Sequence, residues 1–178
     1  RVGNTIGIAP GVHSPAELHM SNGGTCVLLD VLALSGVRAA RTPQEKRLIV
    51  WLSEHDQSRW GLGAVGFDLC ELPWDPGSFQ ADRAFLLRTI QGAKERTGWE
   101  RLDYTPAEEL LFPWLDQLSA LLTGLDESQI QPGCLEEWLA ESDPGDPVLC
   151  GFPICPIHRT LLTVFGCHLC NNGAHGPG

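Results

Sequence analysis

Four side chains that commonly bind metal ions lie in one short stretch near the C-terminal end of the sequence. In the segment CPIHRTLLTVFGCHLC, Cys155 and His158 form a C-x-x-H pair, and Cys167 and Cys170 form a C-x-x-C pair. A two-residue gap lets one turn aim both members of a pair at a single ion, and zinc prefers four such ligands at tetrahedral corners. The residues LLTVF between the pairs favour a β conformation, which carries the chain out and back. The sequence therefore predicts a zinc site with Cys155, His158, Cys167 and Cys170 as its ligands.

Alternatives to this interpretation remain open at the level of sequence. Cys150 lies close enough along the chain to replace His158 and give four cysteine ligands. The C-x-x-C spacing also occurs in thiol–disulfide redox pairs, and buried free thiols are common in protein cores. His168, between the last two predicted ligands, is expected to be exposed. Because four protein ligands leave no open position for water or substrate, the pattern favours a structural zinc ion over a catalytic one.

A second group of titratable side chains lies in the segment SEHDQSRW at residues 53–60. A histidine beside carboxylates is suited to general acid–base catalysis, so His55 with Asp56 is one candidate pair, and the acids near Asp68 are another. Polar residues also gather wherever a helix reaches the surface, and a histidine there interacts favourably with the helix dipole. The sequence therefore assigns no catalytic residue and no cofactor-binding residue apart from the zinc ligands.

The overall charge restricts the classes of partner. The 178 residues include 22 acidic and 12 basic ones, for a net charge of -10. Such a surface repels phosphate backbones unless its arginines converge, so nucleic-acid binding would require a single patch, formed by Arg38, Arg41, Arg47 and Arg159. A basic protein would instead be attracted. We therefore expect a binding or adaptor protein with a basic protein partner, in an inhibitor or immunity-type role. The alternative is an enzyme, a hydrolase or tailoring enzyme, that uses His55 with Asp56 or the acids near Asp68.

The sequence also indicates a location. It contains no run of about 18 apolar residues, so no membrane-spanning helix is expected. The first residues, RVGNTIGIAPGV, lack the hydrophobic region of a signal peptide. Seven cysteines are an odd number, and four of them lie between residues 150 and 170, which fits metal binding better than a disulfide framework. These features predict a cytoplasmic protein in a reducing compartment.

Sequence patterns typical of helices are frequent between residues 25 and 93. The apolar stretch at residues 25–35 predicts a buried helix that ends at Gly36, with a strand as the alternative. TPQE at 42–45 has the pattern of a capping box, with Thr42 as the N-cap of a helix that runs to about His55. The segment GLGAVGFDLCELPW at 61–74 alternates apolar and polar residues and predicts a strand. Apolar residues spaced along 79–93 predict a third, amphipathic helix.

The capping-box pattern occurs a second time, at residues 105–108. TPAE at 105–108 again predicts a capping box, with Thr105 as N-cap and a long helix that ends at Gly124. Pro113 lies inside this segment, so we expect either a kink there or a helix that begins later. PGCLEEWLAES at 132–142 predicts a short acidic helix, and DPGDP at 143–147 predicts a break in the chain.

These elements predict an α+β fold that is predominantly helical. Residues 21–143 would form a helical body with a short strand or hairpin, and residues 144–178 a small zinc-knuckle or ribbon-like module with a tail. Residues 1–20 are a possible leader or vector-derived segment, because His19 and Met20 form the dipeptide that a cloning junction leaves behind.

Overall fold

Seven α-helices and three short strands form the regular structure of residues 1–173, which are the residues that this computed structural model describes. The strands are β1 (Thr5–Gly7), β2 (Leu18–His19) and β3 (Gly66–Asp68). The helices are α1 (Asn22–Ala39), α2 (Pro43–Ser53), α3 (Gln57–Trp60), α4 (Phe79–Lys94), α5 (Glu108–Gly124), α6 (Cys134–Glu141) and α7 (His168–Asn172). The prediction of a predominantly helical chain is confirmed, and a small three-stranded sheet is present where the sequence predicted a short strand or hairpin. Residues 174–178, the end of the predicted C-terminal module, lie outside the described residues.

Helix α1 is the central element, and α2, α4 and α5 all pack against it. Its residues from Leu28 to Gly36 are all buried, which explains why the sequence there is apolar on every side of the helix. The helix does not end at Gly36, as the sequence predicted, but continues to Ala39. A Cβ atom at position 36 would collide with the side chain of Ile49 in α2. This glycine therefore allows two helices to approach closely and does not end α1.

The two T-P-x-E segments behave differently. Thr42 caps α2 as predicted, since its hydroxyl accepts the Glu45 backbone N–H at 3.1 Å and the Glu45 side chain accepts the Thr42 backbone N–H. The capping box predicted at Thr105 is wrong, because α5 begins at Glu108 with Ala107 as its N-cap and no side-chain cap. Pro113 lies inside α5, five residues after its start, so the helix does not begin late enough to place this proline in its first turn. The predicted end of that helix at Gly124 is confirmed.

The three strands form one sheet in the order β2-β1-β3. Strand β1 pairs antiparallel with β2, where Ile6 faces Leu18, and parallel with β3, where Ile6 faces Phe67. Residues 1–20, for which the sequence left a leader open, thus contribute two strands and several core side chains. All three residues of β3 are buried, so the alternating exposure expected for the strand in 61–74 is not present. None of the helices among residues 1–173 is long and apolar enough to cross a membrane.

Candidate functional site

The four predicted metal ligands come from a tight turn and from the start of the last helix. Cys155 and His158 lie on a turn in which the Cys155 backbone N–H donates to the Thr160 carbonyl at 2.8 Å. The turn is completed by Arg159, whose φ of 60° lies in the left-handed region. The chain then passes through a narrow antiparallel hairpin, with bridges between 154 and 161 and between 163 and 166. Cys167 is the N-cap of α7 and Cys170 lies within it, so the hairpin brings the second pair back to the first.

The ligand atoms of Cys155, His158, Cys167 and Cys170 all lie within 4.8 Å of one another. The Sγ atoms of Cys155 and Cys170 are 3.8 Å apart. The Nδ1 atom of His158 lies 3.9 Å from the Cys155 sulfur, 3.6 Å from the Cys167 sulfur and 3.3 Å from the Cys170 sulfur. Tetrahedral bonds of about 2.3 Å to sulfur and about 2.0 Å to nitrogen place neighbouring ligand atoms about 3.5 to 3.8 Å apart. The four side chains are therefore close enough together to hold a metal ion.

The electrostatics of the sulfurs fit a cation at the centre of the cluster. Burial opposes ionisation of Cys155, but backbone N–H groups of His158 and Ile157 and neighbouring side chains outweigh it and lower the pKa of that thiol to about 6. Burial and the charge of Cys167 raise the pKa of Cys170 to about 12, and burial raises the pKa of Cys167 as well. Neighbouring thiolates repel one another, so the cluster would not ionise fully on its own. A divalent cation would supply the charge that stabilises them together.

Cys150, the alternative ligand, lies outside this cluster. Its side chain is exposed, and its thiol donates to the Pro144 carbonyl at 3.3 Å. The structure thus groups His158, and not Cys150, with the three other cysteines.

His168 is buried, with 2 % of its surface exposed, so the expectation that it is exposed is wrong. Its Nδ1 atom lies 2.8 Å from Oδ1 of Asp30 in α1. The second oxygen of Asp30 accepts the Tyr104 hydroxyl at 2.6 Å. A carboxylate in the middle of a buried helix requires such donors, because an unpaired buried charge is costly. Asp30 was the signal in the sequence, since it is the only charged residue in an otherwise apolar stretch at 25–35.

The candidate acid–base pair is not joined by a hydrogen bond. His55 is buried, its ring packs on those of Trp51, Trp60 and Phe67, and its Nδ1 atom lies 2.9 Å from the Trp51 carbonyl. Burial lowers the pKa of this histidine to about 4. The carboxylate of the neighbouring Asp56 forms its hydrogen bonds with other residues.

Asp56 holds the last helix in place. Its carboxylate accepts the backbone and hydroxyl of Ser58, at 2.9 and 2.6 Å, and the side-chain amides of Asn171 and Asn172, each at 2.9 Å. Burial opposes ionisation, but these donors outweigh it and lower the pKa of Asp56. Both oxygens are therefore engaged in structural hydrogen bonds between α3 and α7.

The acids near Asp68 also have structural partners. Asp68 is buried and forms an ion pair with Arg1. Glu71 accepts the Asp68 backbone N–H at 2.7 Å, and Asp75 accepts the Gly77 backbone N–H at 2.9 Å. The three carboxylates thus stabilise turns around β3.

A cavity of about 400 Å³ lies next to the metal cluster. One wall is the first part of α1, with Cys26 and Asp30; another is the segment 102–104; and the third consists of His158 and α7. Cys26 is half-buried, and its thiol lies 3.2 Å from the side-chain nitrogen of Gln57. Burial, followed by the charge of Asp30, raises the pKa of this thiol to about 11. The sequence does not reveal this cavity, because its three walls come from segments more than 50 residues apart.

Among the arginines that a nucleic-acid patch would require, Arg38 forms an ion pair with Glu100, and Arg41 donates to the Arg38 carbonyl at 2.7 Å.

Comparisons of the chain with protein-family models, curated proteins and solved structures give no match.

Proposed function

We propose that the chain is a cytoplasmic binding protein, stabilised by a structural zinc ion, whose acidic surface binds a basic protein. An inhibitor or immunity-type role against a basic enzyme fits this description. The observation that carries the proposal is the distribution of acidic residues: six of the eleven exposed acids among residues 1–173 lie between residues 126 and 143, the segment that contains α6, whereas the candidate catalytic acids are engaged in structural bonds.

The sequence from residue 126 to residue 158 contains seven acidic residues and no lysine or arginine. Six of these acids are exposed, all but Asp146; they are Asp126, Glu127, Glu136, Glu137, Glu141 and Asp143. We call the surface formed by these six residues the acidic surface. A concentrated charge of one sign steers an oppositely charged protein towards it and speeds association at low salt.

The zinc part of the proposal is supported by the cluster geometry. Three sulfurs and one ring nitrogen within 4.8 Å of one another are a donor set that zinc prefers. Four protein ligands leave no position for water, so the ion would stabilise the fold. The hairpin and α7 are too short to form a core of their own, and structural zinc contributes about 10 kcal/mol or more to the folding of small peptides.

The alternative function, a hydrolase or tailoring enzyme, has less support. His55 is surrounded by aromatic rings, Asp56 is bound by two asparagines, and Asp68 is paired with Arg1. Neither candidate group lines the cavity of about 400 Å³. An enzyme that used these side chains would first have to break the bonds that hold β3 and α7 in place.

Paired affinity capture tests the proposal. The wild-type chain and a variant with Gln at all three exposed glutamates of α6 are used as baits in the same lysate at low and high salt. A control variant loses the same number of exposed acids directly after α4 and on α5, by the substitutions Glu95→Gln, Glu109→Gln and Asp116→Asn. We expect a basic protein that is retained by the wild type and the control, lost from the α6 variant and weakened by salt. Capture of no such protein, together with turnover in an activity screen, would refute the proposal.

A further inference from the structure

The cavity of about 400 Å³ has an apolar interior. Val27 of α1, Leu62 of the loop before β3, Leu102 and Leu169 of α7 all line it. Leu62 is 69 % exposed and lies beside the opening, whereas Leu169 is buried. A cavity of this size, with apolar walls and few polar groups, is typical of a site that binds a small group of matching shape.

The charged groups of the cavity are all of one sign, apart from the ring of His158. Asp30 lies in its buried part and Asp103 in its exposed part, and none of the described residues that line it is a lysine or an arginine. One oxygen of Asp30 accepts the Tyr104 hydroxyl at 2.6 Å and the other lies 2.8 Å from Nδ1 of His168, so a cation in the cavity would use a remaining lone pair of this carboxylate. Burial and then the charge of Asp30 raise the pKa of the Tyr104 hydroxyl, and they raise that of Cys26 in the same way. Burial disfavours charged groups of either sign, whereas the carboxylates of Asp30 and Asp103 oppose anions and attract cations.

The end of the cavity away from Asp30 is formed by the start of α1 and offers hydrogen-bond donors. Asn22 and Gly23, the first two residues of the 18-residue helix α1, line it there. The N–H groups of the first helical turn have no partner within the helix and donate readily to a carbonyl oxygen. Eight residues separate Asn22 from Asp30, which corresponds to about 12 Å along the helix. The cavity therefore suits a group with a carbonyl at one end, an apolar stem and a cation at the other end.

We propose that this cavity receives the side chain of an arginine or lysine of the basic partner, with its charge at Asp30 and Asp103. The aliphatic stem lies against Val27, Leu102 and Leu169, and the backbone carbonyl of the inserted residue lies at the start of α1. This inference rests on the proposed function, since it names the part of the basic protein that is bound. It also explains why an anionic substrate or cofactor does not suit the cavity.

A titration of the ¹⁵N-labelled chain with small probes tests the inference. The probes are N-acetyl-arginine N-methylamide and its norleucine and glutamate counterparts, added up to tens of millimolar at low salt. We expect saturable shifts of the Val27, Asp103 and Leu169 amide resonances with the arginine probe, and binding at least about threefold weaker for norleucine. Equal or tighter binding of the norleucine or glutamate probe, or no saturable shift at these residues, would overturn the inference. Agmatine has the guanidinium but no carbonyl, so it distinguishes a free amine ligand from a residue of a protein. Tighter binding of agmatine than of the arginine probe would also overturn the inference.

Variants identify the groups that bind the probe. Asp103→Asn should weaken the arginine probe about threefold, whereas Asp116→Asn, which removes the same charge outside the cavity, should not. Val27→Trp should fill the cavity and abolish binding. Because a tryptophan at position 27 also changes the packing of α1, Leu62→Lys provides a second test: it adds a cation at an exposed loop position and should also abolish binding. Unchanged probe affinity in both Asp103→Asn and Leu62→Lys would refute the assignment.

The same variants separate this inference from the proposed function. A captured basic protein that is lost from the α6 variant but bound normally by Leu62→Lys would support the proposed function and overturn the inference. Binding of the arginine probe at the cavity, without capture of any basic protein, would contradict the proposed function and support the cation preference of the cavity.

Discussion

Glu54, the residue that follows α2, gives the sharpest test of the structure. Burial raises the pKa of its carboxyl from 4.5 to about 7, and the charge of Asp146 adds to this rise. The Trp138 indole N–H donates to the carboxylate at 3.1 Å and acts in the opposite direction. The protonated form is therefore favoured in the folded state. A rise of about 2.5 in pKa corresponds to about 3 kcal/mol, which is fully present below pH 4.5 and is lost as the pH rises through 7. Glu54→Gln keeps the shape of the protonated side chain and removes this loss.

The neighbouring His55 has the opposite effect. Burial lowers its pKa from 6.5 to about 4, so its contribution to stability is present above pH 6.5 and is lost as the pH falls through 4. Between about pH 4.5 and 6.5 the folded state binds one proton, at Glu54, and the unfolded state also binds one, at His55. The two contributions cancel in the wild type. In Glu54→Gln only the histidine remains, so stability should rise by about 2 kcal/mol across this interval.

Urea unfolding at a series of pH values, followed by circular dichroism with zinc in excess, measures both effects. The free energy of unfolding of Glu54→Gln should match that of the wild type near pH 4.5 and exceed it by about 3 kcal/mol near pH 8. Glu109→Gln, an exposed acid on α5, is the control and should follow the wild type throughout. Any effect of zinc release at low pH is common to all three proteins and drops out of the differences. A constant difference between Glu54→Gln and the wild type from pH 4.5 to 8 would refute the burial of this carboxyl.

Three further predictions concern the metal site and the helices. If the proposed zinc ion is bound, elemental analysis should find one zinc per wild-type chain; Cys167→Ser should lose it together with much of the folded C-terminal structure seen by circular dichroism, whereas Cys150→Ser should keep both. Thr42→Ala should lower the free energy of unfolding by about 1 kcal/mol, because it removes a helix cap, but Thr105→Ala should change it by less than about 0.5 kcal/mol; equal effects would contradict the observed start of α5. Gly36→Ala should be destabilising by about 1 to 3 kcal/mol in the same assay, although alanine favours helices, because its Cβ atom would collide with an isoleucine of α2.

The sequence predicted those features that depend on neighbouring residues. The spacing of the two ligand pairs identified the cluster, and the T-P-Q-E pattern identified the cap at Thr42. These features are local, because a turn or a helix start brings residues three positions apart into contact whatever the rest of the chain does.

The predictions that failed depend on contacts between distant segments. Glycine is a residue type that often ends helices, but Gly36 instead allows α2 to pack closely against α1. Thr105 has the same local pattern as Thr42, and the sequence alone does not separate the two. The burial of His168 depends on Asp30, which is 138 residues away along the chain. A buried charge in an apolar helix indicates that a partner exists, but not which residue it is.

The connection between the metal cluster and the helical body determines how the protein should respond to loss of the metal. Helix α7 has five residues, too few to be stable alone in water. The cluster holds its start through Cys167 and Cys170, while His168, Asn171 and Asn172 bind Asp30 and Asp56 of the body. Release of the proposed zinc ion would free α7 and leave two buried carboxylates without these donors, which costs several kcal/mol. Chelation should therefore destabilise the helical body together with the C-terminal segment, in one cooperative transition, whereas an independent zinc module would unfold separately and leave the melting temperature of the body unchanged.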